Sequence, residues 1–332
     1  MPTIVTCFPI TPAQIQRITE LDSDYNVINS PQEMIGKEIF KADVFFGHAK
    51  TPVDWDAVVE QGKLRWIQSS AAGLDHCLKP AVIQSDIPVS GCSRLFAPQV
   101  AETTMALVMG LLRSLPTFFR AQQNKEYVRR YTDEIYDKTL GIIGYGGNGQ
   151  QIAKAFRPLA RKIIGMDRFP ESTLVPGYEG MADRLLPNDQ LETLLKEADI
   201  VVSTLPLSES NEKLLSDAQF STMKKDSYFI NVGRGSVVDE PALIRHLQNG
   251  HLKGVGIDVA DPEPIATDSP LWEAPNVIIT PHIGAQSLYR VPRTIDLFCE
   301  NFRRFQSGET LINLVDKPLG YPRPEHRFQG EL

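Results

Sequence analysis

The chain has 332 residues, a length that suits two domains around separate cores, and its 42% hydrophobic content is that of an ordinary globular protein. A net charge of -7, with Lys and Arg gathered only in short pairs such as Arg129-Arg130 and Arg303-Arg304, offers no field for phosphate backbones and excludes nucleic acid as a partner. The longest mainly apolar stretch, Met105 to Leu112, is too short to cross a bilayer, the start MPTIVTCFPI lacks the basic region of a secretory signal, and Cys7, Cys77, Cys92 and Cys299 form no C-x-x-C pair; the chain therefore reads as cytoplasmic, with buried free thiols, no disulfide framework and no metal site.

In chain order, residues 1–98 mix strand-like runs (TIVTCF, ADVFFG, RWIQSS, IPVSG) with helical ones and form a first α/β unit. From Gln99 to Leu115, Met105, Val108, Met109, Leu111, Leu112 and Leu115 recur at spacings that predict a long amphipathic helix ending near Pro116. The polar run QQNKEYVRRYTDEIYDK then reads as a surface segment ahead of a new folding unit.

From Thr139 the texture changes to short continuous apolar runs: LGII, KIIGM, IVVSTL, YFINV, VGIDV and NVIIT. Runs without alternation are what strands covered on both faces require, so a parallel sheet with helices on each side is expected. A helix over 239–249 is bounded by Asp239 as cap, Pro241 in its first turn and Gly250 at its end. A second amphipathic helix is expected over about residues 285–306. No internal repeat is visible.

Gly144-Tyr145-Gly146-Gly147-Asn148-Gly149 follows the strand LGII and precedes a helical segment, the context in which G-x-G-x-x-G holds a dinucleotide diphosphate. Asp167 ends the next strand, where a carboxylate accepts from the ribose hydroxyls and repels a 2'-phosphate. That favours NAD over NADP, with Arg168 beside it softening the preference. Three further segments leave strand ends: N-V-G-R-G with Arg234, D-V-A-D-P-E-P with Asp258 and Glu263, and T-P-H-I-G with His282. The carboxyl ends of parallel strands face the ligand crevice, so the three side chains can converge there. Reduction of a ketone has a use for such a trio, because a protonated His quenches charge growing on oxygen, a carboxylate on its other nitrogen fixes the tautomer, and Arg grips a substrate carboxylate.

The run from Leu205 to Pro264, continued by SPLWEAPNVIITPHIG, resembles the cofactor-domain signature of the D-isomer-specific 2-hydroxyacid dehydrogenases, densely over about half the chain and loosely over most of the rest. The resemblance implies that Arg234 binds the carboxylate and keto oxygen, that Glu263 supports the histidine, and that His282 is the acid/base. It implies Asp258 at the nicotinamide carboxamide, with backbone near Thr204, Leu205, Val232 and Gly233 lining the cofactor. The loop Ser70-Ala71-Ala72-Gly73-Leu74-Asp75 is similar to the family's substrate loop, which would give the N–H groups of Ala72 and Gly73 to the substrate carboxylate. The implied architecture is a Rossmann-type doubly wound parallel sheet, residues 99–287, inserted in a flavodoxin-like α/β substrate domain built from 1–98 and 288–332. Gly147 and Asn148 depart from the usual pattern before the third Gly, and the aromatic-rich segment from Phe118 to Tyr136 aligns with no family pattern.

The expected activity is NAD-dependent reduction of a small 2-keto acid, glyoxylate or hydroxypyruvate first; the resemblance implies a homodimer through the cofactor domain, where the aromatic segment around Phe118 and Phe119 could help form the contact. D-3-phosphoglycerate and D-lactate dehydrogenases share the trio; no regulatory domain follows Ile312 and no phosphate-binding basic cluster is evident. Formate dehydrogenases carry Gln at the place of Glu263. An NAD-sensing corepressor-like protein is the alternative outside the enzymes, and it needs a peptide groove that residues 1–98 do not announce. His48, His76, His246, His251 and His326 carry no supporting pattern and read as structural or exposed, and Trp272 reads as packing.

Overall fold

The computed structural model describes residues 1–170 and 176–328. Two compact units divide it, Met1–Phe96 with Ser287–Leu332, and Ala97–Gln286. The last residues of the expected range 288–332, 329–332, lie outside the described residues.

The first unit carries a parallel sheet of β1 (Thr3–Thr6), β2 (Asn26–Asn29), β3 (Val44–Gly47), β4 (Trp66–Ser69) and β5 (Val89–Ser90) in the order β2-β1-β3-β4-β5. This is the flavodoxin-like order, whose switch point lies between β1 and β3. Every residue of β1, β3 and β4 is buried, as continuous apolar runs require. Helix Arg290–Ser307 covers one face: Phe298 stacks on Phe46 at 4.0 Å and on Trp66 at 5.4 Å. It begins at Arg290 rather than near 285 and ends at Gly308, whose φ of 71° only glycine adopts freely. β2, with the sequence NVIN and a half-exposed pattern, was not expected, since an edge strand lacks a two-sided apolar run.

The second unit is a seven-stranded parallel sheet, order β12-β11-β10-β9-β6-β7-β8. Its strands are β6 (Thr139–Ile143), β7 (Lys162–Met166), β8 (Arg184–Leu186), β9 (Ile200–Ser203), β10 (Ser227–Asn231), β11 (Leu252–Ile257) and β12 (Val277–Ile279). The chain winds outward from β6 through β7 and β8, then returns to the other side of β6 for β9 to β12. The reversal creates a switch point above the carboxyl ends of β6 and β9.

Helix Ala97–Leu112 packs so closely on β11 that a Cβ on Gly256 would meet the Leu107 Cβ at 3.1 Å. A second helix, Leu115–Gln123, follows where the sequence predicted a stop: Pro116 sits in its first turn, where a missing N–H costs nothing, and Ser114 makes the bend at φ 57°. Helix Glu240–Gln248 stands where expected, with Gly250 at φ 72°, although the Asp239 side chain makes no capping bond. All four cysteines are buried and free, and among the described residues no helix is long and apolar enough to cross a membrane.

Candidate active site

The glycine turn leaves β6 at the switch point. Gly144 has φ 92°, and a Cβ there would meet the Thr204 Oγ1 at 2.8 Å, so the first glycine is demanded by conformation and by the neighbouring strand end. A Cβ on Gly149 would stand 2.3 Å from the Gly144 carbonyl oxygen, which makes this glycine the one that lets the helix Gly147–Phe156 start directly above the strand. Gly146 differs: no heavy atom lies within 4 Å of where its Cβ would be. That open flank at the N-cap of the helix Gly147–Phe156 leaves bare backbone at a helix N-terminus, which a diphosphate fits.

Tyr145 turns the opposite way, fully buried against Gly165, whose added Cβ would meet the ring at 2.3 Å. Gln150, also buried, donates from Nε2 to the Tyr145 carbonyl at 3.1 Å, and the Thr204 hydroxyl donates to the Gly144 carbonyl at 2.6 Å. The turn is therefore braced from below. Gly147 and Asn148 open the helix, leaving their side of the loop to backbone and one amide.

Asp167 follows β7, is 9% exposed, and accepts from the Phe169 N–H at Oδ1, 2.9 Å, while Arg168 beside it is exposed. Thr204 and Leu205 leave β9, and Val232 and Gly233 leave β10. These two strand ends touch: a Cβ on Gly233 would lie 2.5 Å from the Leu205 carbonyl oxygen.

Arg234 is positioned by an Asx turn that the sequence did not single out. Asn231, 1% exposed, accepts from the Gly233 N–H at 3.1 Å and donates from Nδ2 to the Arg234 carbonyl at 2.9 Å. The guanidinium donates from Nη1 to the Gly233 carbonyl at 2.8 Å. An Asn three residues before the Arg was the available signal.

His282 follows β12 in the left-handed region, φ 55°. Asp258, 2% exposed just past β11, makes four hydrogen bonds to that turn. Its Oδ1 accepts from the Thr280 hydroxyl at 2.6 Å and the Ile283 N–H at 2.8 Å, and its Oδ2 from the Gly284 N–H at 2.8 Å. The Asp258 carbonyl also accepts from the His282 N–H at 2.8 Å. Such a web stabilises a conformation that a β-carbon disfavours. The expectation gave Asp258 to the cofactor; its visible partners belong to the histidine turn.

The His282 Nδ1 lies 2.9 Å from the Glu263 Oε2, and the other Glu263 oxygen accepts from the Ala260 N–H at 3.0 Å. Burial on its own would raise the Glu263 carboxyl; the His282 bond, the Ala260 N–H and the charges of His282 and Arg234 outweigh it and hold the group below its ordinary value. The imidazole and carboxylate remain 47% and 40% exposed, open to a ligand. Thus Glu263 and His282 meet directly, and Arg234 is near enough for its charge to act on Glu263. Trp272 is 53% exposed, short of the packed position expected, and its Nε1 donates to the Ala266 carbonyl.

In the first unit, residues 70–75 follow β4. Among the described residues, no protein acceptor takes the N–H of Ala72 or Gly73. The loop is anchored beside them, by the Cys92 N–H to the Ala71 carbonyl at 2.9 Å and the Ser70 N–H to the Gly47 carbonyl at 3.1 Å.

Residues 105–284 match the family described as D-isomer specific 2-hydroxyacid dehydrogenase, NAD binding domain. The chain is 33% identical to glyoxylate/hydroxypyruvate reductase B of Klebsiella pneumoniae subsp. pneumoniae, over 82% of this chain and 84% of that protein. It is 30% identical to D-3-phosphoglycerate dehydrogenase of Methanocaldococcus jannaschii over 86% of this chain, which spans only 54% of that longer protein. Its fold is similar to that of the NADPH-dependent glyoxylate/hydroxypyruvate reductase of Sinorhizobium meliloti, solved with NADP and sulfate, at a TM-score of 0.80 and 25% identity over 97% of this chain and all of the other.

Proposed function

This chain belongs to the D-isomer-specific 2-hydroxyacid dehydrogenase family of oxidoreductases, and from that premise we propose that it reduces glyoxylate or hydroxypyruvate to the 2-hydroxy acid with NADH. The observation that carries the proposal is the 2.9 Å contact between the Glu263 Oε2 and the His282 Nδ1 at neighbouring strand ends. A carboxylate on Nδ1 sets the tautomer and leaves Nε2 as the nitrogen that exchanges a proton with a ligand. His282 then holds a proton at Nε2 and yields it to the carbonyl oxygen as that oxygen gains negative charge. Arg234 grips the substrate carboxylate and polarises the carbonyl. In the first unit, the Ala72 and Gly73 N–H groups are the proposed binders of a carboxylate.

The open flank of Gly146 fits a bound dinucleotide. Gly144, Gly146, Gly147, Asn148 and Gly149 would hold its diphosphate, and Asp167, with Arg168 beside it, the ribose hydroxyls. Thr204, Leu205, Val232 and Gly233 would wall the site, and Asp258 would serve the carboxamide as well as the histidine turn. When bound, the reduced nicotinamide supplies the hydride. The buried Asp167 carboxylate supports NADH over NADPH.

Exposed Phe119, Tyr127, Tyr131 and Tyr136 cluster in one stretch of the second unit, the kind of apolar surface that a second copy of the chain would cover, and the proposed assembly is a homodimer. Four buried thiols suit a reducing compartment, so the proposed place of action is the cytoplasm.

NADH and NADPH oxidation with glyoxylate, hydroxypyruvate, pyruvate and phosphohydroxypyruvate tests the proposal. NADH-linked turnover, highest with the first two acids, is the expected result. NADH binding without turnover of any 2-keto acid would overturn it in favour of a sensor.

A further inference from the structure

The proposed function makes no use of His76, which the sequence offers only as a structural or exposed residue. It lies just past the loop Ser70–Asp75, and its surroundings are unusually ordered. The ring stacks on His48 with centroids 4.2 Å apart and planes 14° off parallel. The His76 carbonyl accepts from the buried Trp55 Nε1 at 2.9 Å, and the His48 carbonyl accepts from the Gln32 Nε2 at 3.0 Å. Both imidazoles stand beyond the carboxyl ends of adjacent parallel strands, β3 and β4, where Gly47 pairs with Ser69. His48 directly follows β3, one of the two strands at this sheet's switch point.

The His76 Nε2 is 2.9 Å from the Ser69 Oγ, and that oxygen accepts from the Ala71 N–H at 3.1 Å. Ser69 is wholly buried, so its hydroxyl hydrogen needs an acceptor inside the protein. Among the described residues, the nitrogen of His76 is the acceptor within reach. With Ser69 as the donor of this pair, His76 accepts at Nε2 and the Ser69 lone pair is turned toward Ala71. Ser69 is clamped on its carbonyl as well, by the Gln68 Nε2 at 3.0 Å and the Cys92 Sγ at 3.3 Å. Each of these bonds fixes the backbone just ahead of the Ala72 and Gly73 N–H groups.

We propose that His76 is a positioning residue for substrate binding, acting through the Ser69 hydroxyl to fix the Ala71 peptide and so aim the Ala72 and Gly73 N–H groups at a carboxylate. This rests on the reading of the loop as the carboxylate grip. Its consequence is a defect in binding rather than in chemistry. Loss of an interaction present equally in the ground and transition states raises KM and leaves kcat in place.

The test is steady-state kinetics with glyoxylate and hydroxypyruvate on wild type, His76→Ala, His76→Gln, Ser69→Ala and the Ser69→Ala/His76→Ala double variant, with NADH affinity and Tm measured alongside. His76→Ala is expected to raise KM about tenfold with kcat within about twofold and NADH affinity unchanged. His76→Gln should restore KM, because its amide oxygen replaces the accepting nitrogen. Ser69→Ala should match His76→Ala, and the double variant should be no worse than either. The inference is overturned, with the assigned activity intact, if wild type turns over while KM is unmoved in His76→Ala or Ser69→Ala, if kcat falls as much as KM rises, or if Gln fails to rescue. Should His76→Ala not fold, Ser69→Ala against His76→Gln decides by the same criteria. A wild type inactive on every 2-keto acid overturns the functional reading and takes this inference with it.

Discussion

The turn bearing His282 and the turn bearing His76 both follow parallel strands, yet each imidazole has a different kind of partner. His282 faces the Glu263 carboxylate and is 47% exposed. His76 faces a buried neutral hydroxyl and lies flat on a second ring. A carboxylate on one ring nitrogen fixes which nitrogen is left to a ligand, whereas a buried hydroxyl bonded to Nε2 ties that nitrogen to the protein. Partner chemistry thus separates the proposed proton carrier from the proposed scaffold, where distance alone, 2.9 Å in both, would not.

Replacement of His282 should break the first turn's chemistry most severely. His282→Ala is expected to lower kcat about a hundredfold or more, with NADH affinity nearly intact in a fluorescence titration. Glu263→Gln should come next, at roughly tenfold or more in kcat, since an amide can donate as well as accept and no longer fixes the tautomer at Nδ1. The native Glu263 carboxyl lies below its ordinary value of 4.5, so whatever its charge contributes is complete above that value and lost only as pH falls through the lowered one. Wild-type kcat should therefore hold across the usual carboxylate range, and the acid limb below it should vanish in Glu263→Gln, as a pH–rate profile paired with circular dichroism will show.

Asp258→Asn sharpens the comparison differently. It keeps the shape but replaces an acceptor-only group that takes three hydrogen bonds from residues 280–284, so kcat should fall by about tenfold through a loosened His282 turn, with Tm lowered as well. An unchanged kcat would show that the turn holds itself. Asp167→Ala, away from both histidines, should have the smallest effect on kcat. It should weaken NADH binding and narrow the gap to NADPH in kcat/KM.

The sequence disclosed those parts of the molecule whose residues carry their own reason. LGII and KIIGM lie within or coincide with β6 and β7, because a two-sided parallel strand needs a continuous apolar run. NVIN and RLL were invisible as β2 and β8, being short, polar-flanked edge strands. Pro116 reads in the sequence as a stop, although proline fits a first helical turn as well as it ends the previous helix. The same division runs through the site. That Glu263 meets His282, with the charge of Arg234 in reach, was legible because their chemistry is unusual in that pattern, and Gly144 and Gly149 because no side chain fits there. What Asp258 does was not legible, since partners 22, 25 and 26 residues away, reached across strand ends, leave no local trace; Asn231 and Ser69 bond within their own turns, where the sequence singled out neither.

The central claim, that the ring at position 282 delivers the proton, is tested most directly by adding free imidazole to His282→Ala during NADH oxidation with glyoxylate. The half-exposed position admits a small base, so the rate should climb with the concentration of protonated imidazole while NADH affinity stays constant. A variant that oxidises NADH as fast as wild type without any imidazole would contradict the account.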